Sequence, residues 1–165
     1  MKLNKTHPLY QEDIRNILSL IDSDRLKGKS FLITGATGMV GVMLIDVLMS
    51  IDGVMVYAVG RNKAKAQTRL GDHFGNPMFS FIEQDVCQPF CEELKVDYIL
   101  PMASNTHPLA YSQYPIETML INIHGAINAL NLADKSGATV VYTSTNEVYG
   151  NAIANEEFTE DYNGK

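Results

Sequence analysis

The sequence predicts an α/β fold in which helices cover both faces of a parallel β-sheet. Short apolar segments of strand length alternate with helical segments along most of the chain, which is typical of βαβ units. These short segments are apolar at successive residues rather than at every second residue, as expected of strands buried on both faces. A glycine-rich turn joins the first of them to a helix, an arrangement found in doubly wound sheets.

The first predicted element is an amphipathic helix. Apolar residues recur at helical spacing from Tyr10 to Ile21, and the segment that follows, 22–29, is polar. We therefore divide the chain into residues 1–29, a helix and its connector, and residues 30–165, which contain the sheet. The length of 165 residues corresponds to about one domain.

The remaining predicted elements alternate between strands and helices. The strands are residues 30–34, 54–59, 78–83, 97–100 and 138–143, and the helices are residues 39–50, 61–70 and 115–136. Pro115 in the first turn and Gly137 just past the last turn are the usual limits of a helix. We expect this last helix to bury an apolar stripe, formed by Ile116, Met119, Leu120, Ile123, Ile127 and Leu130.

Composition and charge exclude several classes of function. A formal net charge of -6 disfavours nucleic-acid binding, which depends on Lys and Arg at phosphates. No segment is long and apolar enough to span a membrane, and the N-terminus has no signal-peptide core. Cys87 and Cys91 have no second pair or nearby His that would complete a metal site. We expect reduced thiols, no metal and a cytoplasmic location.

The turn after the first strand has the sequence Thr34-Gly35-Ala36-Thr37-Gly38-Met39-Val40-Gly41. Gly35 permits a tight turn, Gly38 leaves room for a pyrophosphate, and Gly41 lets the helix pack closely. Free N–H groups at the helix N-terminus then bind the anion without a basic side chain. Because the pattern lies between a strand and a helix, it predicts a Rossmann-type sheet that binds a dinucleotide through Gly35, Thr37, Gly38, Met39, Val40 and Gly41.

This glycine spacing resembles that of the extended short-chain dehydrogenases, in particular the NAD-dependent epimerase/dehydratase family of nucleotide-sugar enzymes. The resemblance continues in register over residues 28–150. Asp85 and Val86 resemble the family's contact with the adenine, and residues 100–104 resemble its fourth-strand motif, although Pro101 and Met102 depart from the usual residues. The resemblance implies that the cofactor also contacts Asp85, Val86, Met102, Ala103, Ser104 and Thr143.

The choice between NAD and NADP stays open at this point. The second strand ends at Gly60-Arg61-Asn62-Lys63, without the acidic residue that usually binds the ribose hydroxyls of NAD. An Arg at this place accommodates the 2'-phosphate of NADP. The family resemblance favours NAD instead, with Arg61 stacked on the adenine. Arg61 is a predicted cofactor-binding residue in either case, and the cofactor is written NAD(P).

Polar residues follow the fifth predicted strand, where ligands bind in parallel sheets. Residues 142–150 resemble the S-[ST]-x-x-V-Y-G motif of nucleotide-sugar epimerases, dehydratases and decarboxylases. The resemblance implies that Thr145 hydrogen-bonds the sugar oxygen being oxidised and that Glu147 is a base or polar positioner. Asn146 stands where dehydratases have Asp, and because an amide is not an acid it disfavours elimination of water. The loop around His107 resembles that of UDP-glucuronate decarboxylases, and we interpret His107 as a polar loop residue rather than a base.

The family's chemistry also uses a Tyr-x-x-x-Lys pair, and none of the eight tyrosines is followed by Lys four residues later. We expect the pair beyond Lys165, and the sheet to be truncated after its fifth strand with the substrate domain absent. The 165 residues alone are then inactive.

The sequence thus predicts the NAD(P)-binding portion of a nucleotide-sugar epimerase, decarboxylase or dehydratase that acts by transient oxidation at sugar C4. The alternatives are a non-catalytic dinucleotide-binding module and a short-chain reductase of small alcohols; the Val148-Tyr149-Gly150 motif disfavours the reductase. We also expect a homo-oligomer, because the fifth strand would present an open apolar edge and the helix 115–136 would lose part of its cover, which exposes apolar side chains.

Overall fold

The computed structural model describes residues 4–150 and 158–162. Within them, five parallel strands form one sheet in the order β3-β2-β1-β4-β5. The chain enters at the centre, winds outward to β3, and then crosses to the other side of β1. The strands are β1 Ser30–Thr34, β2 Met55–Gly60, β3 Phe79–Glu83, β4 Tyr98–Leu100 and β5 Thr139–Val140. This sheet confirms the predicted Rossmann-type, doubly wound α/β fold.

Five α-helices accompany the strands in the described residues. They are α1 Pro8–Leu20, α2 Met39–Leu48, α3 Lys63–Leu70, α4 Pro108–Gln113 and α5 Pro115–Ser136. Short 3-10 turns occupy Ser23–Arg25, Gly71–His73 and Asn146–Tyr149. Over residues 4–150 and 158–162, no helix is both long enough and apolar enough to cross a membrane.

The sheet is buried on both faces, which explains why its strands are apolar throughout. Ile33 belongs to the cluster beneath α2, together with Ile45 and Val56, and Leu32 belongs to the cluster beneath α5. Both β1 side chains are fully buried. Leu32 pairs with Tyr57 of β2 on one side and with Ile99 on the other, so β1 is the central strand.

The predicted buried stripe of α5 was wrong. Its six residues are 36 to 64% exposed, whereas the face toward the sheet carries Leu132 and otherwise small and polar residues. A Cβ at Gly125 would lie 3.3 Å from Val86 Cγ2, and the Asn128 amide donates a hydrogen bond of 2.7 Å to the Val86 carbonyl. Because the helix lies so close to Val86 at this point, a large side chain does not fit at Gly125. The apolar stripe is real, but it points away from the sheet.

The fifth strand is shorter than predicted, and α4 was missed. β5 covers only Thr139–Val140 rather than residues 138–143, although the Val141 N–H still donates to the Ile99 carbonyl at 2.9 Å. On the neighbouring strand the next position is Pro101, which has no N–H to continue the ladder. The helix α4 lies within the segment interpreted as a loop and begins after His107, whose ring accepts a hydrogen bond from the Leu109 N–H at 3.2 Å.

The helix α1 packs on α2 through an apolar contact and a buried polar cluster. Tyr10 and Ile14 contact Val47. The Asp46 carboxylate accepts hydrogen bonds from Lys5 Nζ at 2.7 Å and Tyr10 Oη at 2.5 Å, and lies 2.6 Å from His73 Nε2. We call these four residues the Asp46 cluster. It joins the segment before β1 to the body of the domain.

Candidate cofactor-binding site

A cleft of about 600 Å³ opens at the carboxyl ends of the strands, where the connections from β1 and β4 leave the sheet in opposite directions. Open α/β sheets bind ligands at such a switch point, and the volume lies within the range of ligand pockets. Every predicted cofactor-binding residue lines this cleft: Gly35, Thr37, Gly38, Met39, Val40, Gly41, Arg61, Asp85, Val86, Met102, Ala103, Ser104 and Thr143. Sequence reasoning did not single out the further lining residues Val59, Gly60, Lys65, Gln84, Asn105, Thr106 and Ile121.

The glycine turn forms the floor of the cleft, and packing excludes a side chain at Gly35 and at Gly41. Gly35 has φ +65°, and a Cβ there would lie 2.8 Å from the Met102 carbonyl oxygen. A Cβ at Gly41 would lie 2.7 Å from the Gly35 carbonyl oxygen, so Gly41 lets α2 pack on the turn itself. The residue at the N-cap of α2 is Gly38, which is exposed and contributes no side-chain cap. The N–H groups of the first helical turn therefore face the cleft without an intrahelical partner.

Thr34 connects the glycine turn to the loop after β4, and sequence reasoning missed this role. The Thr34 side chain is buried, and its Oγ1 accepts hydrogen bonds from the Met102 N–H at 2.9 Å and the Ala103 N–H at 3.0 Å. These bonds keep the two walls of the cleft together at the switch point. The signal in the sequence is a polar residue at the end of an otherwise apolar strand.

The far end of the cleft lies between β2 and β3. Asp85 is exposed, and its carboxylate accepts a hydrogen bond of 2.9 Å from the Cys87 N–H. Burial, and then the Asp85 charge, raise the pKa of the Cys87 thiol, so this cysteine is not activated as a nucleophile. Arg61 and Lys65 line the same end.

The residues predicted to act on the sugar lie beyond the cleft lining. Thr143 lines the cleft and donates a hydrogen bond of 3.1 Å to the Pro101 carbonyl. Thr145 is exposed and caps the turn Asn146–Tyr149 by accepting a bond of 3.3 Å from the Glu147 N–H. Glu147 is exposed, and the side chain of Asn146 lies outside the described part of the chain. His107 caps α4 and does not line the cleft, as expected of a polar loop residue.

The geometry fits a dinucleotide. Gly35 and Gly41 have no room for a side chain, and the turn that contains them leads into a helix N-terminus, an arrangement that suits a pyrophosphate. The fold and the position of this cleft define the class of the protein as a Rossmann-type domain with a ligand cleft at the switch point of its sheet.

Residues 31–164 match the model of the NAD dependent epimerase/dehydratase family. Since the match includes most of the chain, the chain belongs to that family, and the resemblance to extended short-chain dehydrogenases is confirmed.

Its relatives include nucleotide-sugar enzymes. The chain is 37% identical over 127 residues to UDP-glucuronic acid decarboxylase 2 of Arabidopsis thaliana, covering 77% of this chain and 28% of that protein. It is also 37% identical over 145 residues to UDP-glucuronic acid decarboxylase 1 of Danio rerio, covering 88% of this chain and 33% of that one. The chain thus spans about a third of the length of these curated relatives.

Solved structures show the same fold. UDP-N-acetylglucosamine 4-epimerase from Methanobrevibacter ruminantium superimposes with a TM-score of 0.73 at 20% identity, covering 84% of this chain and 44% of that one. A dTDP-glucose 4,6-dehydratase double mutant from Streptomyces venezuelae, with NAD bound, superimposes with a TM-score of 0.65 at 25% identity, covering 80% and 44%.

Proposed function

We propose that this chain is the NAD(P)-binding portion of an enzyme that modifies a nucleotide sugar by transient oxidation at C4. One observation carries the proposal. Residues from five separate segments, near positions 35–41, 61, 85–86, 102–104 and 143, converge on one cleft at the switch point of the sheet. The cleft occurs in a chain whose relatives are named as nucleotide-sugar decarboxylases.

The residues of the chain divide into a cofactor end and a sugar end. When bound, NAD(P) supplies a nicotinamide ring that accepts a hydride from the sugar carbon. The first turn of α2 binds the pyrophosphate through its free N–H groups, and Gly35 and Gly38 keep side chains away from it. Thr143 lies in the cleft lining, and Thr145 and Glu147 follow it at the mouth, where we propose that they position the sugar. None of these groups replaces a phenolate activated by a Lys. We therefore propose that the 165 residues bind the dinucleotide but do not catalyse conversion of the sugar.

Decarboxylation is the net reaction that we propose for the parent enzyme. The named relatives are decarboxylases, and Asn146 lacks the acid needed to expel water in a dehydratase. The substrate class would then be a nucleotide sugar that carries a carboxylate. A cytoplasmic location stays a prediction from the sequence.

We also propose a homo-oligomer, supported by the exposed apolar stripe of α5. Ile123, Ile127 and Leu130 are each about half exposed, on a helix of 22 residues. Contiguous exposed apolar surface of this kind marks an interaction site. The open edge of β5, the other ground of the sequence prediction, is only two residues long and offers few unpaired backbone groups. The stripe therefore supports self-association better than the edge does.

Titration calorimetry with NAD and NADP tests the proposed function. Gly38→Val places a side chain where the pyrophosphate must lie, so most affinity should be lost. The backbone of Gly38 has φ -73°, which any residue adopts, and a Cβ would lie 3.0 Å from the Gly35 carbonyl oxygen, so the fold should survive a small adjustment. Gly71→Val is the matched control, since a Cβ there meets nothing within 4 Å. Equal affinities of wild type and Gly38→Val would refute the assignment. The parent enzyme should bind a carboxylated UDP-sugar, whereas a non-catalytic dinucleotide-binding module should not.

A further inference from the structure

The end of β2 carries no carboxylate toward the cleft. In dinucleotide-binding folds an acidic residue here accepts hydrogen bonds from the ribose hydroxyls of NAD, whereas an Arg accommodates the 2'-phosphate of NADP. β2 ends at Gly60, which has no side chain, and Arg61 follows. The next side chain, Asn62, is already used, because its Oδ1 accepts a hydrogen bond of 2.7 Å from the Lys65 N–H and caps α3.

The acidic residues nearby do not replace the missing carboxylate. Glu83 lies opposite Gly60 in the register of β2 and β3, but its carboxylate accepts a hydrogen bond of 2.9 Å from the Lys63 N–H, and it does not line the cleft. Among the described residues that line the cleft, Asp85 is the one acid. It lies two residues past β3, and its carboxylate accepts a hydrogen bond from the Cys87 N–H. The carboxyl end of β2 itself thus lacks a carboxylate acceptor.

Two cations line the cleft at this place instead. Arg61 directly follows β2, and Lys65 lies in the first turn of α3. Within residues 4–150 and 158–162, neither side chain forms a salt bridge. Arg69, on the same helix, is engaged elsewhere: it donates a hydrogen bond of 2.9 Å to the Thr37 carbonyl and so holds α3 against the glycine turn. This contact keeps Lys65 beside the cleft.

We infer that the cleft binds NADP in preference to NAD, with Arg61 and Lys65 holding the 2'-phosphate. The inference rests on the proposed dinucleotide function. A phosphate monoester carries about -1.5 to -2 charges near neutral pH, which two cations balance. At the end of β2 the ribose hydroxyls of NAD would instead meet two cationic donors, and the acid that usually accepts them there is missing. This preference would distinguish the chain from the Streptomyces dehydratase, whose structure has NAD bound.

Calorimetric titration of the purified protein with NADP and with NAD measures the preference. We expect NADP to bind at least about tenfold more tightly, since charge-assisted hydrogen bonds to a phosphate give discrimination of this order. Arg61→Ala should weaken NADP at least about tenfold and leave NAD nearly unchanged, and Lys65→Ala should act in the same direction. Lys63→Ala removes the same charge from the same helix, but Lys63 does not line the cleft, so the preference should persist. Circular dichroism establishes that each variant is folded.

A reciprocal variant restores the missing acid. A Cβ at Gly60 would make an ordinary contact of 3.4 Å with the Phe81 ring, and the backbone there is not left-handed, so Gly60→Asp is sterically acceptable. It should repel the 2'-phosphate, accept the ribose hydroxyls and invert the preference toward NAD. Gly60→Asn has the same shape without the charge and should keep the preference for NADP.

The outcomes are distinguishable. If wild type binds NAD as tightly as NADP, or if Arg61→Ala weakens both equally, the inference is wrong and the proposed function stands. If neither dinucleotide binds to the folded protein, the inference and the proposed function are both wrong.

Discussion

The Asp46 cluster allows a quantitative test of how much the contact between α1 and the rest of the domain contributes to the free energy of unfolding. The family match begins at residue 31, so Lys5 and Tyr10 lie before it while Asp46 and His73 lie within it. The Asp46 side chain is only 7% exposed and has three close partners. Asp46→Ala leaves those donors facing each other without an acceptor. Removing one partner of a buried ion pair costs about 3–5 kcal/mol.

We expect a loss near the lower end of that range, about 3 kcal/mol, because Lys5 keeps a second carboxylate, Asp72, at 3.5 Å. For a domain of this size the loss corresponds to a decrease in Tm of roughly 6–12 °C. Urea unfolding followed by circular dichroism gives the free energy of unfolding directly. The matched control is Asp72→Ala, which removes the other carboxylate near Lys5. Its side chain is 75% exposed, so its loss should cost about 0–1 kcal/mol.

The same cluster predicts the pH dependence. Burial by itself would raise the pKa of Asp46, but the hydrogen bonds from His73, Lys5 and Tyr10 together lower it below its ordinary value. Burial, reinforced by Asp46, raises the pKa of Tyr10, which therefore stays a donor. Because the pKa of Asp46 is depressed in the folded state, its contribution is complete above the unfolded pKa of about 3.9 and is lost as pH falls through the folded value. Wild type should lose stability over this acid range more steeply than Asp46→Ala. A cost below about 1 kcal/mol for Asp46→Ala, or parallel acid profiles, would refute the reasoning.

Further outcomes follow from the exposed helix face and from the sugar end. Ile123→Glu combined with Ile127→Glu should convert an oligomer into a monomer of 18.3 kDa in size-exclusion chromatography with light scattering, because a charge opposes burial of the stripe. Thr139→Lys, at the edge of β5, should leave the assembly unchanged. If Thr139→Lys gives a monomer and the double variant stays oligomeric, the interface lies at the strand edge instead. Assays with UDP-glucuronate should show no turnover by the 165 residues, and measurable product would overturn the requirement for a Tyr-x-x-x-Lys pair.

The local features of this protein were determined by its sequence. The strand β1 at Ser30–Thr34, the helix α5 at Pro115–Ser136 and the glycine turn were predicted because each rests on neighbouring residues. Continuous apolar segments predict strands covered on both faces, and a turn with φ +65° at Gly35 requires glycine. The convergence of the predicted residues on one cleft also follows from the sequence order, since parallel strands bring their carboxyl ends to one edge of the sheet.

Tertiary structure alone decided which surfaces meet. The periodicity of α5 identifies an apolar stripe but not the partner that covers it, and the close approach of the helix at Gly125 turned that stripe away from the sheet. Lys65 joins Arg61 at the cleft because α3 packs beside the glycine turn, to which Arg69 donates a hydrogen bond. Asp46 meets Lys5, which is 41 residues away in the sequence, and His73, which is 27 residues away. Such contacts depend on how whole elements pack, and no local pattern of residue types encodes that packing.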